Sequence, residues 1–134
     1  MKITTKENRT LVFLSNYLNA EEFDHNQHMV AAITKKNDII GVGKNQMKTH
    51  PFQAKFSRNP DSIYLHAETA ALLDAINNGQ NPTGGVMHVI RRMKNNTLGL
   101  ARPCNGCMKA LDAYGINKIV YSNELGTFSS ETRD

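Results

Sequence analysis

Apolar residues first recur at helical spacing at Leu11, Leu14 and Leu18, which predicts an amphipathic helix ending near Ala20. Thr4 with Glu7 reads as a capping box at its start. The period then changes. His28–Thr34 and Asp38–Gly43 are β-like runs, and Lys35-Lys36-Asn37 between them reads as the turn of a hairpin. A second helix is predicted from near Tyr64, with Leu65, Thr69, Leu72 and Ile76 on its core side. Asn77-Asn78-Gly79 closes it, with Gly79 as a left-handed cap. Val86–Met93 predicts a third strand. Cys104 opens a third helix, with Met108 and Leu111 inward and Gly115 as its stop. Ile116–Tyr121 predicts a fourth, buried strand, and the tail is expected to return as an edge strand around Gly126–Ser130. Lys44–Ser62 contains Pro51 and Pro60 and has no period. It reads as one long irregular segment, of a kind that is often functional.

Composition narrows the class without naming a chemistry. A chain of 134 residues fits one domain, 1–134, with volume for a core of two or three layers. The formal net charge of +4 suits an anionic ligand, but equally a soluble protein that never meets nucleic acid. No apolar run approaches membrane-spanning length. Leu11–Leu14 is too short for a signal-peptide core. Both cysteines fall in a single C-x-x-C, so there is no disulfide framework and a reducing compartment is implied. The expectation is a cytoplasmic, soluble protein with no membrane partner.

That C-x-x-C changes the picture when it is read with His66-Ala67-Glu68. One imidazole, one carboxylate and two thiols are the parts of a catalytic zinc centre. Such a site takes three protein ligands and leaves the fourth position open, whereas structural zinc is closed by four. Cys104 and Cys107 are three apart and share a helix face. Thiolates are favoured at a helix start by the dipole. His66 and Glu68 are two apart and converge only if the metal sits off the amino end of their helix. The pattern therefore implies two helix starts facing one metal.

Each part alone has a plainer reading. C-x-x-C is as often a redox pair or half of a structural zinc site, and a histidine at a helix start is usually a hydrogen-bonded surface residue. Glu68 alone is explained as a first-turn carboxylate set against the dipole. His25, His28 and His88 read as solvent or packing residues, although one histidine of the chain can in principle close a four-ligand structural site.

The ordered pair His66–Glu68 and Pro103-Cys104-Asn105-Gly106-Cys107 resembles the signature of the cytidine/deoxycytidylate deaminase superfamily. Gly43-Lys44-Asn45 upstream and Gly115–Ser122 downstream lend weaker support. The resemblance implies a cytidine deaminase-like fold, a three-layer α/β/α sandwich with a central mixed sheet. It implies Zn2+ held by His66, Cys104 and Cys107 between the second and third helices. It also implies that Glu68 takes a proton from water and delivers it to the ring nitrogen and then to the leaving amine.

Substrate-binding residues are carried over by the same resemblance. Asn45, at the end of a predicted strand, matches an Asn that holds the substrate sugar in many relatives; a turn-forming Asn is the plainer reading. Ala67 fits a position where bulk would block the base from the metal. His50 lies in the long segment before the site. Arg102 beside Cys104, with Lys48, Lys55 and Arg58, offers phosphate contacts, though a solvated basic surface is the commoner role. Phe52, Phe56 and Tyr64 are candidates to stack a base, or else to pack the core.

The leading expectation is hydrolytic, zinc-dependent deamination of a small cytosine nucleoside or nucleotide, deoxycytidylate foremost, in a homo-oligomer (dimer or tetramer). The inserted zinc-binding or allosteric segments of many deoxycytidylate deaminases have no counterpart here. The alternative is a deaminase acting on a base within single-stranded DNA or RNA, including tRNA adenosine, with a strongly salt-dependent affinity. A non-enzymatic zinc-stabilised binding module is the third, and it requires a fourth protein ligand and an unused Glu68.

Overall fold

The computed structural model describes residues 4–20, 28–46, 50–56, 65–93, 95 and 97–133. The chain opens with α1 (Thr5–Ala20), then β1 (His28–Lys35) and β2 (Asp38–Lys44). The capping box forms as the sequence predicts. The Glu7 N–H donates to Thr4 Oγ1 at 3.1 Å, and the Thr4 N–H donates to Glu7 Oε1 at 3.0 Å. The hairpin also forms. Lys35 pairs with Asp38, so β1 runs one residue further than expected and the turn is Lys36-Asn37. Both turn residues have positive φ, 51° and 73°, the condition for a turn whose twist matches the flanking strands.

The segment Lys44–Ser62 differs from expectation, because a short helix, α2 (Pro51–Phe56), lies inside it. Pro51 supplies a preset φ at the first helical position, and the His50 Nδ1 accepts the Phe52 N–H at 3.0 Å. Six residues are too few to reveal a period. The next helix, α3, spans Ala67–Asn77. Leu65 is buried but precedes it, and Tyr64 lies outside the described residues. Gly79 (φ 74°) follows its end, as the cap prediction requires. The buried side of α3 carries Thr69 and Leu72 as expected, together with Ala67, Ala71 and Ala75, whereas Ile76 is only half-buried.

The small residues let α3 lie directly on β2. A Cβ on Gly43 would stand 2.4 Å from the Ala71 nitrogen and 2.6 Å from the Ala67 oxygen, and one on Gly41 would stand 2.4 Å from the Ala71 oxygen.

Beyond α3 come β3 (Val86–Arg92), the two-residue β4 (Leu98–Gly99), α4 (Asn105–Ala113), β5 (Lys118–Ser122) and β6 (Phe128–Thr132). The strands form one mixed sheet in the order β2-β1-β3-β5-β6, with β4 on β3. The edge strand at the tail is shifted from the expected Gly126–Ser130, because Gly126 (φ 78°) belongs to the turn before it.

Strand alternation sorts the core into two faces. Val30, Ala32, Ile90 and Val120 pack under Leu11, Leu14 and Leu18 of α1. Ala31, Ile33, Met87, Val89 and Ile119 face the layer of α3 and α4, where Ala71, Leu72 and Leu111 meet them. The result is the expected three-layer α/β/α sandwich. Among the described residues no helix is long and apolar enough to cross a membrane.

Strand direction places the site. Both β2 and β3 run antiparallel to β1, so β2 and β3 point the same way, and β5 is parallel to β3. Helix α3 follows β2 and helix α4 follows β3 and β4, so both begin at the same edge of the sheet. Ligands of open α/β sheets gather at that carboxyl edge.

Candidate metal centre and active site

His66 and Cys104 occupy the N-cap positions of α3 and α4, each with extended backbone (φ −82°, ψ 159° and φ −70°, ψ 171°), and neither makes a side-chain cap. Ser, Thr, Asp or Asn would normally stand there to bind an orphan N–H. Here each side chain turns to the other helix instead. Cys104 thus precedes its helix, one position earlier than a first-turn placement, and Cys107 is the third helical residue.

The His66 Nδ1 lies 3.2 Å from the Cys107 sulfur and 3.6 Å from the Cys104 sulfur. One ligand atom from each of the three lies within 4.8 Å of the others. Tetrahedral zinc, with bonds of about 2.3 Å to sulfur and about 2.0 Å to nitrogen, needs nitrogen–sulfur separations of roughly 3.5 Å. The two observed separations bracket that value. The imidazole nitrogen facing the sulfurs is Nδ1, a choice that spacing could not reveal.

The protonation of the three groups is shared. The Cys104 thiol is drawn down to about 3, chiefly by the hydrogen bond from Cys107 and then by His66. The same hydrogen bond and burial push the Cys107 thiol up, and the hydrogen bond to Cys104 raises the imidazole of His66. Each of the three groups binds a cation in its deprotonated form, so metal binding at this cluster releases protons.

Glu68, the second residue of α3, is 2 % exposed, and among the described residues its Oε1 has no hydrogen-bond partner. Burial pushes its carboxyl above the usual range, against the pull of the His66 charge. A buried carboxyl with a raised pKa beside a cluster of metal-ligand side chains is a candidate functional group.

The remaining sequence candidates are more dispersed. Ala67 is fully buried between α3 and the sheet. The Asn45 Oδ1 accepts the Met29 N–H at 3.0 Å. Its neighbour Gln46 donates its N–H to the Leu65 carbonyl at 2.9 Å, which ties the end of β2 to the approach of His66. His50 caps α2. Arg102 makes a bidentate pair with Glu131 (2.6 and 3.0 Å), to which the Tyr121 hydroxyl also donates at 2.7 Å. Lys55 lies over the Phe56 ring; Lys48, Arg58 and His25 fall outside the described residues. Phe52 and Phe56 pack on each other and on Tyr114, with centroids 5.5 to 6.4 Å apart.

Sequence reasoning missed Gln53. It is fully buried on α2, accepts the His66 N–H at 3.2 Å and a close hydrogen bond from the Thr69 hydroxyl, and turns its amide nitrogen toward the Cys107 sulfur. Its one signal was position, two residues after a proline in an otherwise unpatterned stretch.

Comparison with known proteins agrees with this geometry. The profile of the cytidine and deoxycytidylate deaminase zinc-binding region matches residues 6–123. The chain belongs to that family.

Among solved structures, this deaminase-family chain is similar to the dCMP deaminase of cyanophage S-TIM5 in apo form, with a TM-score of 0.62 at 21 % identity over 92 % of this chain and 86 % of that one. The same phage enzyme in complex with dCMP and dUMP matches at TM-score 0.63 and 19 % identity, over 92 % and 85 % of the two chains. Cytidine deaminase from Burkholderia pseudomallei matches at 0.64 and 16 % identity, over 93 % and 91 %. Likeness at such identities establishes the cytidine deaminase-like fold. Comparison with curated protein sequences gives no match. The family's zinc-binding region and the His/Cys/Cys group together support Zn2+ as the cofactor.

Proposed function

We propose that this family member hydrolytically deaminates a small cytosine nucleoside or nucleotide, deoxycytidylate foremost. The observation that carries the reading is Glu68: a buried carboxyl with one oxygen unpartnered among the described residues, two residues from His66 of a three-residue group that could hold a metal. His66, Cys104 and Cys107 are the residues that would hold the zinc. When bound, zinc supplies the Lewis acidity that makes water a competent nucleophile near neutral pH.

Glu68 moves the protons. Its carboxylate takes a first proton from the attacking water and gives it to the ring nitrogen as the C4–O bond forms. It then takes the second proton from the added hydroxyl and gives it to the amine, so that the C4–N bond breaks and ammonia leaves. Burial pushes its carboxyl above the usual carboxylate range, the direction that suits a group which both accepts and donates a proton. Ala67, without bulk between helix start and ring, leaves the approach to the metal open.

At the rim, Asn45 is our candidate for the sugar. Its oxygen serves Met29, so its role toward substrate is as a donor. His50 and Arg102 are the candidates for phosphate, and a phosphate on Arg102 competes with Glu131 for the guanidinium. The dCMP and dUMP bound by the phage structural neighbour support a nucleotide of this size.

A panel of deoxycytidylate, cytidine, deoxycytidine, adenosine, guanine and single-stranded oligonucleotides, assayed for ammonia release, tests the reading. Release from deoxycytidylate or a cytosine nucleoside is expected. Turnover of an oligonucleotide with none for free nucleotides would replace it with the polynucleotide alternative.

A further inference from the structure

Helix α2 is anchored from outside and inside at once. Phe52 and Phe56, four residues apart, pack on Tyr114 at the end of α4. That holds the short helix in place, and from it the Gln53 side chain reaches the starts of α3 and α4. Gln53 is fully buried, and a primary amide is placed in such a position at a loss unless its polar atoms are used.

Its oxygen accepts the His66 backbone N–H at 3.2 Å and the Thr69 hydroxyl, and its nitrogen lies 3.9 Å from the Cys107 sulfur. The amide orientation is fixed by chemistry. The His66 N–H can only donate, so it requires the oxygen, and a metal-binding thiolate can only accept, so it requires the N–H.

We propose that Gln53 is a positioning residue of the metal centre, one side-chain amide that fixes the Cys107 sulfur and the His66 helix start relative to each other. The inference rests on the His66, Cys104 and Cys107 ligand set argued above. His66 and Cys107 lie on different helices, and neither helix start has a side-chain cap. The Gln53 oxygen supplies the missing cap acceptor for α3 through the N–H of His66 itself. The Gln53 nitrogen draws charge from the sulfur and limits its rotation. Partners of this kind orient ligands and tune the metal they hold.

The test uses the whole chain and the metal alone. Zinc affinity is measured by chelator competition. The sulfur-to-metal charge-transfer band is recorded on the Co2+ form, and unfolding of the metal-free protein is followed in urea. Two variants separate the roles. Gln53→Met keeps the volume and removes both contacts. Gln53→Glu keeps the shape and the acceptor for His66 but faces the sulfur with an oxygen.

Both variants are expected to bind zinc about 10- to 100-fold more weakly and to displace the cobalt band, with Gln53→Glu showing the larger effect per unit of lost stability. Wild-type affinity and an unmoved band in Gln53→Glu overturn the proposal, even if Gln53→Met unfolds easily, since a purely structural residue behaves that way. A wild-type chain that binds neither metal overturns the ligand set and this inference together, whereas wild-type binding with indifferent variants overturns this inference alone.

Discussion

The His66 Nδ1 and the Cys107 Sγ lie 3.2 Å apart although they stand 41 positions apart in the chain. Nothing local enforces that contact. It follows from two helices that start at one edge of the sheet, each with a ligand in place of a cap. As the proposed metal ligands, the pair would also form a tertiary cross-link, and metal should stabilise the fold that presents it.

Cys107→Ser is expected to lose zinc binding and the stabilisation that zinc brings. Melting temperature measured with added zinc and with chelator should differ for the wild type and coincide for the variant. An equal zinc-induced shift in both proteins would remove Cys107 from the ligand set.

Glu68→Gln should retain one zinc per chain and a wild-type melting temperature, because the residue touches the chemistry and not the metal. Turnover should fall by about 10²- to 10⁴-fold or more, the usual contribution of a positioned proton carrier. Metal analysis alongside steady-state assays decides the point: a zinc-free variant would make Glu68 a ligand, and an active one would take it out of the mechanism.

Gly43→Ala tests the close seating of α3 on β2. The new Cβ meets the Ala71 nitrogen at 2.4 Å and the Ala67 oxygen at 2.6 Å, and both are backbone atoms that cannot swing aside. A loss of about 1–3 kcal/mol is expected, read from urea unfolding of the metal-free protein. Zinc affinity should fall with it, since Ala67 adjoins His66. Unchanged stability would mean that α3 rides higher on the sheet than described.

His88 gives a pH signature unrelated to the metal. It sits beneath α1, 1 % exposed, and neither ring nitrogen has a hydrogen-bond partner among the described residues. Burial lowers its pKa from 6.5 to about 4, against the attraction of Glu7. The folded imidazole stays neutral while the unfolded one takes a proton, so this contribution is complete above pH 6.5 and is lost as pH falls toward 4. The difference amounts to about 3 kcal/mol at most. His88→Leu should show a shallower fall in urea-unfolding stability between pH 6.5 and pH 4 than the wild type. Parallel pH curves for the two proteins would contradict it. Glu7, paired with Lys118 at 2.8 Å, titrates in both proteins, and its coupling to His88 is part of the difference read.

The two halves of the His66, Cys104 and Cys107 group were legible in the sequence, because each half is short-range. C-x-x-C on a helix start puts two sulfurs on one face whatever surrounds it, and His66-x-Glu68 can converge on a metal only off a helix end. The capping box, the Lys36-Asn37 turn and the Gly79 and Gly115 stops were legible for the same reason: they depend on backbone preferences a few residues long. Helix α2 was not, since six residues show no period and its stability comes from Phe52 and Phe56 meeting Tyr114 of another helix. The core side of α3 was partly misassigned. Leucine and isoleucine spacing pointed to Ile76, whereas the opposing glycines of β2 favour the alanines.

By itself, then, the sequence determined the local pieces, the C-x-x-C and His66-x-Glu68 each at a helix start, since residue type and short-range spacing suffice for that. The tertiary structure alone decided that His66 presents Nδ1, that Arg102 is engaged by Glu131, and that Gln53 lies between the ligands. Those outcomes depend on what stands opposite each side chain across the sheet edge, and a contact between distant segments leaves no period in either one.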